Sequence, residues 1–205
     1  MAWIRCLLYS LFAMTLITGC VRVDLPTQPS PLAYKKQSWA QRHHALMQLH
    51  HWNIDGAFSV QRPDKSVMAN YTWQQAGNDF SIHISSSLDA YSALIRGEPG
   101  HVTLWRSDRQ SFSANNPEQL MQQQLGWSLP LSNLFYWIRG LPAPGKYQAR
   151  YDHFGHVIAL WQRGWQVQFS NYWPLGNVDV PRTLLLNHAH LTAKIVIKHW
   201  IFLSL

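Results

Sequence analysis

The sequence predicts a mainly β protein of the α+β type. An antiparallel sheet of about eleven strands curls into an open, incomplete barrel, and helices cover or plug one side. Three observations carry this. Apolar and polar residues alternate through most of the chain, the period of half-buried antiparallel strands. Turn signals divide the alternating runs at hairpin spacing. The alternation breaks in the middle of the chain, where residues 116–140 take up helical apolar spacing instead.

Ser38 stands as an N-cap before Trp39, Leu46, Leu49 and Trp52 near helical spacing, so a helix is expected over residues 39–51. The period then falls to two in Ile54, Gly56, Phe58 and Val60, again in Val67, Ala69, Tyr71 and Trp73, and again in Phe80, Ile82 and Ile84. Arg62-Pro63-Asp64-Lys65 and Gly77-Asn78-Asp79 are the turns between them. Shorter strands follow at Ser92 to Arg96, His101 to Arg106 and Gln110 to Ala114. Asn116-Pro117-Glu118 opens a helix with proline in its first turn, carrying Leu120, Met121 and Leu125 to Gly126. After Pro130, Leu131, Leu134, Phe135 and Ile138 form the apolar stripe of a second helix that ends at Gly140. Alternation resumes with Tyr147, Ala149 and Tyr151 and runs through Val157 to Trp161 and Trp165 to Tyr172. Leu184 and Leu186, then Leu191, Ala193, Ile195 and Ile197, form the last two strands.

A chain of 205 residues is the size of one ordinary domain. Its 47% hydrophobic content supports a core, and its two cysteines exclude a disulfide scaffold. Eleven tryptophans exceed what packing needs and point to an apolar or flat ligand.

Residues 1–19 carry one basic residue, Arg5, before an apolar run ending in Thr18-Gly19, the pattern of a signal peptide. Cys6 lies inside that segment, so only Cys20 survives cleavage, without a disulfide partner. Ile17-Thr18-Gly19-Cys20 resembles the bacterial lipobox, which implies acylation of Cys20 and a chain tethered to the membrane. Among such lipoproteins an aspartate after the cysteine retains the protein at the inner membrane. Val21 stands there instead, which implies the outer membrane. Residues 20–37, with Pro26, Pro29 and Pro31, read as a flexible tether, and residues 38–205 as a single domain.

His43, His44, His50 and His51 fall on the expected first helix, and His188 and His190 on one strand face, a possible metal set. His43 and His44 point about 100° apart, and His44 and His51 are about 10 Å apart by helix rise, so the histidines are read as solvated or core-edge and no metal is expected. There is no Gly-x-Ser-x-Gly elbow or His-Glu-x-x-His motif, and most carboxylates sit in turns, so no catalytic residue is assigned and no enzyme is expected. No cofactor is implied. Without Arg5 the exported chain keeps 16 basic and 10 acidic residues, a net +6 spread along the chain, which with export argues against nucleic acid and suits anionic lipid, an acidic partner or a merely soluble basic surface.

Leu125-Gly126-Trp127-Ser128-Leu129-Pro130, Tyr136 to Gly145 and Gln162-Arg163-Gly164-Trp165 together resemble the LolB family of outer-membrane lipoprotein receptors. Trp52 with Gly56-Ala57-Phe58, Tyr71 with Trp73-Gln74-Gln75, Pro181, and Lys194 to Ile197 with Trp200 fall in the family's order. The resemblance implies an open barrel whose apolar concavity accepts acyl chains of lipoproteins from a LolA-type periplasmic carrier and passes them to the outer-membrane bilayer. It implies a monomer. Inward candidates for that cavity are Phe58, Tyr71, Trp73, Ile82, Ile84, Phe135, Ile138 and Trp165. Leu88 stands where the family has a membrane-insertion loop, but between Ser87 and Asp89, where family members commonly carry Pro and Gly. Alternative readings are a lipid-anchored outer-membrane assembly or structural protein that binds a peptide or protein, and a periplasmic lipid or glycolipid carrier. The apolar tail Ile201 to Leu205 extends the last strand, packs under the barrel or touches lipid.

Overall fold

The computed structural model describes residue 34 and residues 36–86 and 92–202. The signal segment, Cys20, most of the tether, Leu88 and the last three residues lie outside them.

The first helix, α1, spans Trp39–Met47. Ser38 Oγ accepts from the Gln41 backbone N–H and Gln41 Oε1 accepts from the Ser38 N–H, a capping box that satisfies donors at the helix start. The helix is shorter than the expected 39–51. Leu49 closes a turn onto the Leu46 carbonyl, and β1 (His51–Gln61) takes Trp52 into its buried face with Ile54. Trp52 therefore belongs to the period-two pattern, and His50 and His51 are not on the helix with His43 and His44.

Five strands follow as a meander: β2 (Ser66–Ala76), β3 (Asp79–Ser85), β4 (Ser92–Glu98), β5 (His101–Arg106) and β6 (Ser111–Ala114). Two helices come next, α2 (Pro117–Leu125) and α3 (Leu131–Trp137). Asn116 caps α2 by accepting from the Gln119 N–H at 2.8 Å. The second meander is β7 (Gln148–Tyr151), β8 (Val157–Gln162), β9 (Trp165–Leu175), β10 (Val178–His188) and β11 (Leu191–Phe202).

All eleven strands form one antiparallel sheet in the order β6-β5-β4-β3-β2-β1-β11-β10-β9-β8-β7. The first and last strands pair at its centre, from Trp52 opposite Phe202 to Gln61 opposite Thr192. The apolar tail thus lengthens β11 as far as Phe202. The edge strands β6 and β7 are not neighbours, so the sheet curls without closing. The chain between those edges is the helical segment, and Leu120, Met121, Leu134, Trp137 and Ile138 pack into the core of the concave face. His190 lies in the β10–β11 turn, apart from His188 on the strand.

The register of the central pair shifts at Asp55/Gly56, a bulge. A Cβ on Gly56 would lie 1.9 Å from the Val196 carbonyl oxygen, so the backbones of β1 and β11 meet closely there only because residue 56 has no side chain.

Candidate functional site

Between the concave sheet and the two helices lies a narrow pocket of about 50 Å³. Its sheet wall is built by Phe58 on β1, Tyr71 and Trp73 on β2, and Ile82 and Ile84 on β3. These positions fall on one face because each is separated from the next on its strand by an even step. The register carries the stripe across the sheet, with Tyr71 opposite Ile84 and Trp73 opposite Ile82. The helical wall is Met121, Leu134 and Ile138, and the segment between the helices adds Trp127 and Leu129.

Every lining side chain is apolar or aromatic. Tyr71 alone has a hydroxyl, and burial, with Asp55 adding, pushes its ionisation well above the ordinary tyrosine value. The pocket therefore stays uncharged at any physiological pH. Such a lining offers an apolar chain dispersion contact and removal from water, and offers a polar group nothing to replace its hydration.

Six of the eight inward candidates, Phe58, Tyr71, Trp73, Ile82, Ile84 and Ile138, meet at this pocket. Phe135 and Trp165 do not. Phe135 is half-buried under the Arg139 guanidinium at 4.2 Å and edge-on to Tyr136. It lines a separate cleft with Phe80 and Pro99. Trp165 stacks on His188 with ring centroids 4.9 Å apart, at the far end of the sheet. Along α3 and its C-cap it is Leu131, Leu134 and Ile138, at i, i+3 and i+7, that face the pocket, while Phe135 turns toward its edge.

The position of α3 is fixed by two polar devices. Gln162 on β8 accepts from Trp137 Nε1 at 3.0 Å and from the Ala143 N–H at 2.9 Å, and donates to the Ala143 carbonyl. Arg139, fully buried, donates to the carbonyls of Leu46 and Leu49 at the end of α1 and to that of Phe135. Burial lowers its pKa, with Tyr136 opposing, to about 10, so it stays cationic at neutral pH. Gly140 follows at φ 77°, where a Cβ would press on the Tyr172 hydroxyl at 3.1 Å.

A second buried cluster lies under α1. Arg42 donates to Asp179 Oδ2 at 2.9 Å and to the Asp179 carbonyl at 3.0 Å. His156 lies between Asp179 at 2.9 Å and Asp152 at 2.8 Å, and stacks on Tyr172. Sequence spacing gave no sign of this cluster. Among the described residues no group of three His, Cys, Asp or Glu side chains could hold a metal ion.

A half-barrel with helices in its concavity defines a class of fold, and solved structures share it. A LolA superfamily protein from Nitrosomonas europaea is similar with a TM-score of 0.51, at 10% identity over 84% of this chain and 96% of that one. A DUF1329 family protein from Desulfovibrio piger gives 0.52 at 10% identity over 81% and 92%. At that identity the likeness is one of fold.

Sequence similarity narrows the class. The family described as outer membrane lipoprotein LolB matches residues 50–200. An outer-membrane lipoprotein LolB of Coxiella burnetii is 57% identical over 95% of this chain and 92% of its own length. One of Nitrosococcus oceani is 35% identical over 98% of each. The chain belongs to the LolB family.

Proposed function

We propose that this LolB-family chain is an outer-membrane receptor that takes acylated lipoproteins from a LolA-type periplasmic carrier and releases them into the outer membrane. The observation that carries this is the pocket between sheet and helices, lined by apolar and aromatic side chains alone. Exposing an acyl chain of about fifteen CH₂ groups to water costs on the order of 12 kcal/mol, so transfer needs a receiving surface as apolar as the carrier's. The bilayer is a better solvent still, and release into it is downhill. The transfer needs no catalytic residue, cofactor, metal or nucleic acid.

In this reading residues 1–19 are the signal peptide, acylated Cys20 is the anchor, residues 20–37 are the tether and residues 38–205 act as one monomeric domain. Phe58, Tyr71, Trp73, Ile82, Ile84 and Ile138 contact the acyl chain, while Phe135 and Trp165 flank the helices that cover it. Leu88 meets the bilayer.

The test is transfer. The polypeptide from Val21 onward contains every strand and helix described above. It is mixed with a LolA-type carrier loaded with an acylated lipoprotein, with unacylated cargo as control. Acyl-dependent capture is expected. A folded chain that leaves the cargo on the carrier would overturn the reading.

A further inference from the structure

Charge is divided unevenly between the two ends of the sheet. Because neighbouring strands are antiparallel throughout, the chain connections alternate between one end and the other. At one end are the β2–β3, β4–β5, β7–β8 and β9–β10 connections. With the residues that flank them they bring Asp79, Glu98, Asp152 and Asp179; the cations packed beside them are Arg42, which is paired with Asp179, and Lys36, next to Gln37, which donates to the Asn177 carbonyl. At the opposite end the β1–β2 and β5–β6 turns, the segment before β7 and the β8–β9 turn bring Arg62, Lys65, Arg109, Lys146 and Arg163, with Arg106 closing β5.

Asp89, in the β3–β4 connection at that end, lies outside the described residues; the three described carboxylates there are engaged, Glu118 beside Arg62 accepting from the Ser132 N–H at 2.9 Å. Asp64 pairs with Arg62 at 3.2 Å and Asp108 with Arg106 at 3.0 Å. Lys65, Arg109, Lys146 and Arg163 are exposed, and among the described residues none forms an ion pair. Beside Lys146 and Arg163 a groove open to solvent is lined by Tyr147, Trp161 and His188, again without a carboxylate. Trp127 lines both the apolar pocket and a neighbouring cleft that reaches Arg62 and His188, so the pocket's wall is thin at this end.

We propose that this end of the sheet is a membrane-docking surface. Lys65, Arg109, Lys146 and Arg163 bind anionic phospholipid headgroups, and Tyr147 and Trp161 sit at the interface. The cations stand on separate turns instead of converging on one point, which suits a charged plane better than a single ligand. Each lysine or arginine near an anionic bilayer strengthens binding roughly fivefold, and amphipathic aromatic rings favour the headgroup level. A chain held at the membrane by its anchor also meets the bilayer at high effective concentration. The inference extends the receptor reading but does not need cargo.

The test uses the polypeptide from Val21 onward, without cargo, in co-sedimentation with vesicles of phosphatidylglycerol and phosphatidylcholine or of phosphatidylcholine alone. Binding is expected only to the anionic vesicles and is expected to weaken with salt. Lys65→Gln, Arg109→Asn, Lys146→Gln and Arg163→Asn combined should cut it several-hundred-fold. Lys36→Gln, Arg150→Gln, Lys194→Gln and Lys198→Gln combined remove the same charge elsewhere and should leave most of it. Unfolding midpoints equal to that of the parent show that both variants are folded. Equal binding to neutral vesicles, or equal losses in the two variants, overturns the proposal. So does a first variant that keeps vesicle binding and loses only capture from a loaded carrier, since the surface would then dock a protein.

Discussion

Arg42 and Asp179, 137 residues apart, form a buried ion pair that joins α1 to β10. Burial alone would raise the Asp179 pKa, but hydrogen bonds from His156 and Arg42 outweigh it and hold the carboxyl below the ordinary aspartate value of 3.8. The stabilisation is therefore complete above that value and is lost as pH falls through the lower folded one. Asp179→Asn leaves Arg42 without its counter-charge and should cost about 3–5 kcal/mol at pH 7. In urea unfolding across pH, the gap between parent and variant should hold down to about pH 4 and narrow only below it.

Gln162→Leu removes the amide that serves Trp137 Nε1 and both polar groups of the Ala143 peptide. Each buried group left unpaired costs about 1–3 kcal/mol, so a loss of at least about 2 kcal/mol is expected. Trp137 should also become more mobile, which near-ultraviolet circular dichroism would report. An unchanged spectrum and unchanged stability would show that the amide does not hold α3 in place.

Gly56→Ala drives a methyl group into the Val196 carbonyl at the centre of the sheet. Backbone on both sides cannot yield as a side-chain tip can. A cost of about 3 kcal/mol is expected, read as a fall in Tm of roughly 6–12 °C.

Ile84→Phe separates a pocket from a packed core. In a vacant pocket the larger ring fits at a cost below about 1.5 kcal/mol and takes the place of ligand, so affinity for a fluorescent fatty-acid probe should fall at least tenfold. A larger stability loss with probe binding intact would mean that Ile84 packs against its neighbours and borders no ligand.

Leu88→Glu tests the insertion role that the family resemblance gives this residue. Glutamate is poorly tolerated in hydrocarbon, so the variant should capture cargo from the carrier normally yet fail to pass it to vesicles. Normal passage would remove Leu88 from the release step.

The strands were legible because a half-buried strand writes its environment into the sequence at every second residue, as Ile54, Phe58 and Val60 do. The start of α1 was legible from Ser38, but its end was not, since Leu49 and Trp52 keep helical spacing while Trp52 belongs to the sheet. The sheet wall of the pocket followed from the same alternation. Its helical wall was only half legible: the stripe Leu131, Leu134, Phe135, Ile138 is broad enough to face two ways, and packing alone turns Phe135 onto Arg139. Trp165 kept the expected parity but lies too near the end of its strand to reach the pocket. The Arg42, Asp179 and His156 cluster left no trace, because charged residues far apart in the chain show no pattern until the fold brings them together.

Pairing the first strand with the last has a consequence for how the molecule comes into being. Until residues 191–202 emerge, β1 has a partner on one side only, and the half-built sheet presents its longest strands as a bare edge at what will become its middle. Closing that seam joins segments more than 130 residues apart, a slow step that no early hairpin can make easier. A polypeptide built this way stays threadable until β11 has been delivered. Losing residues 191–202 would split the sheet down the centre instead of trimming its rim.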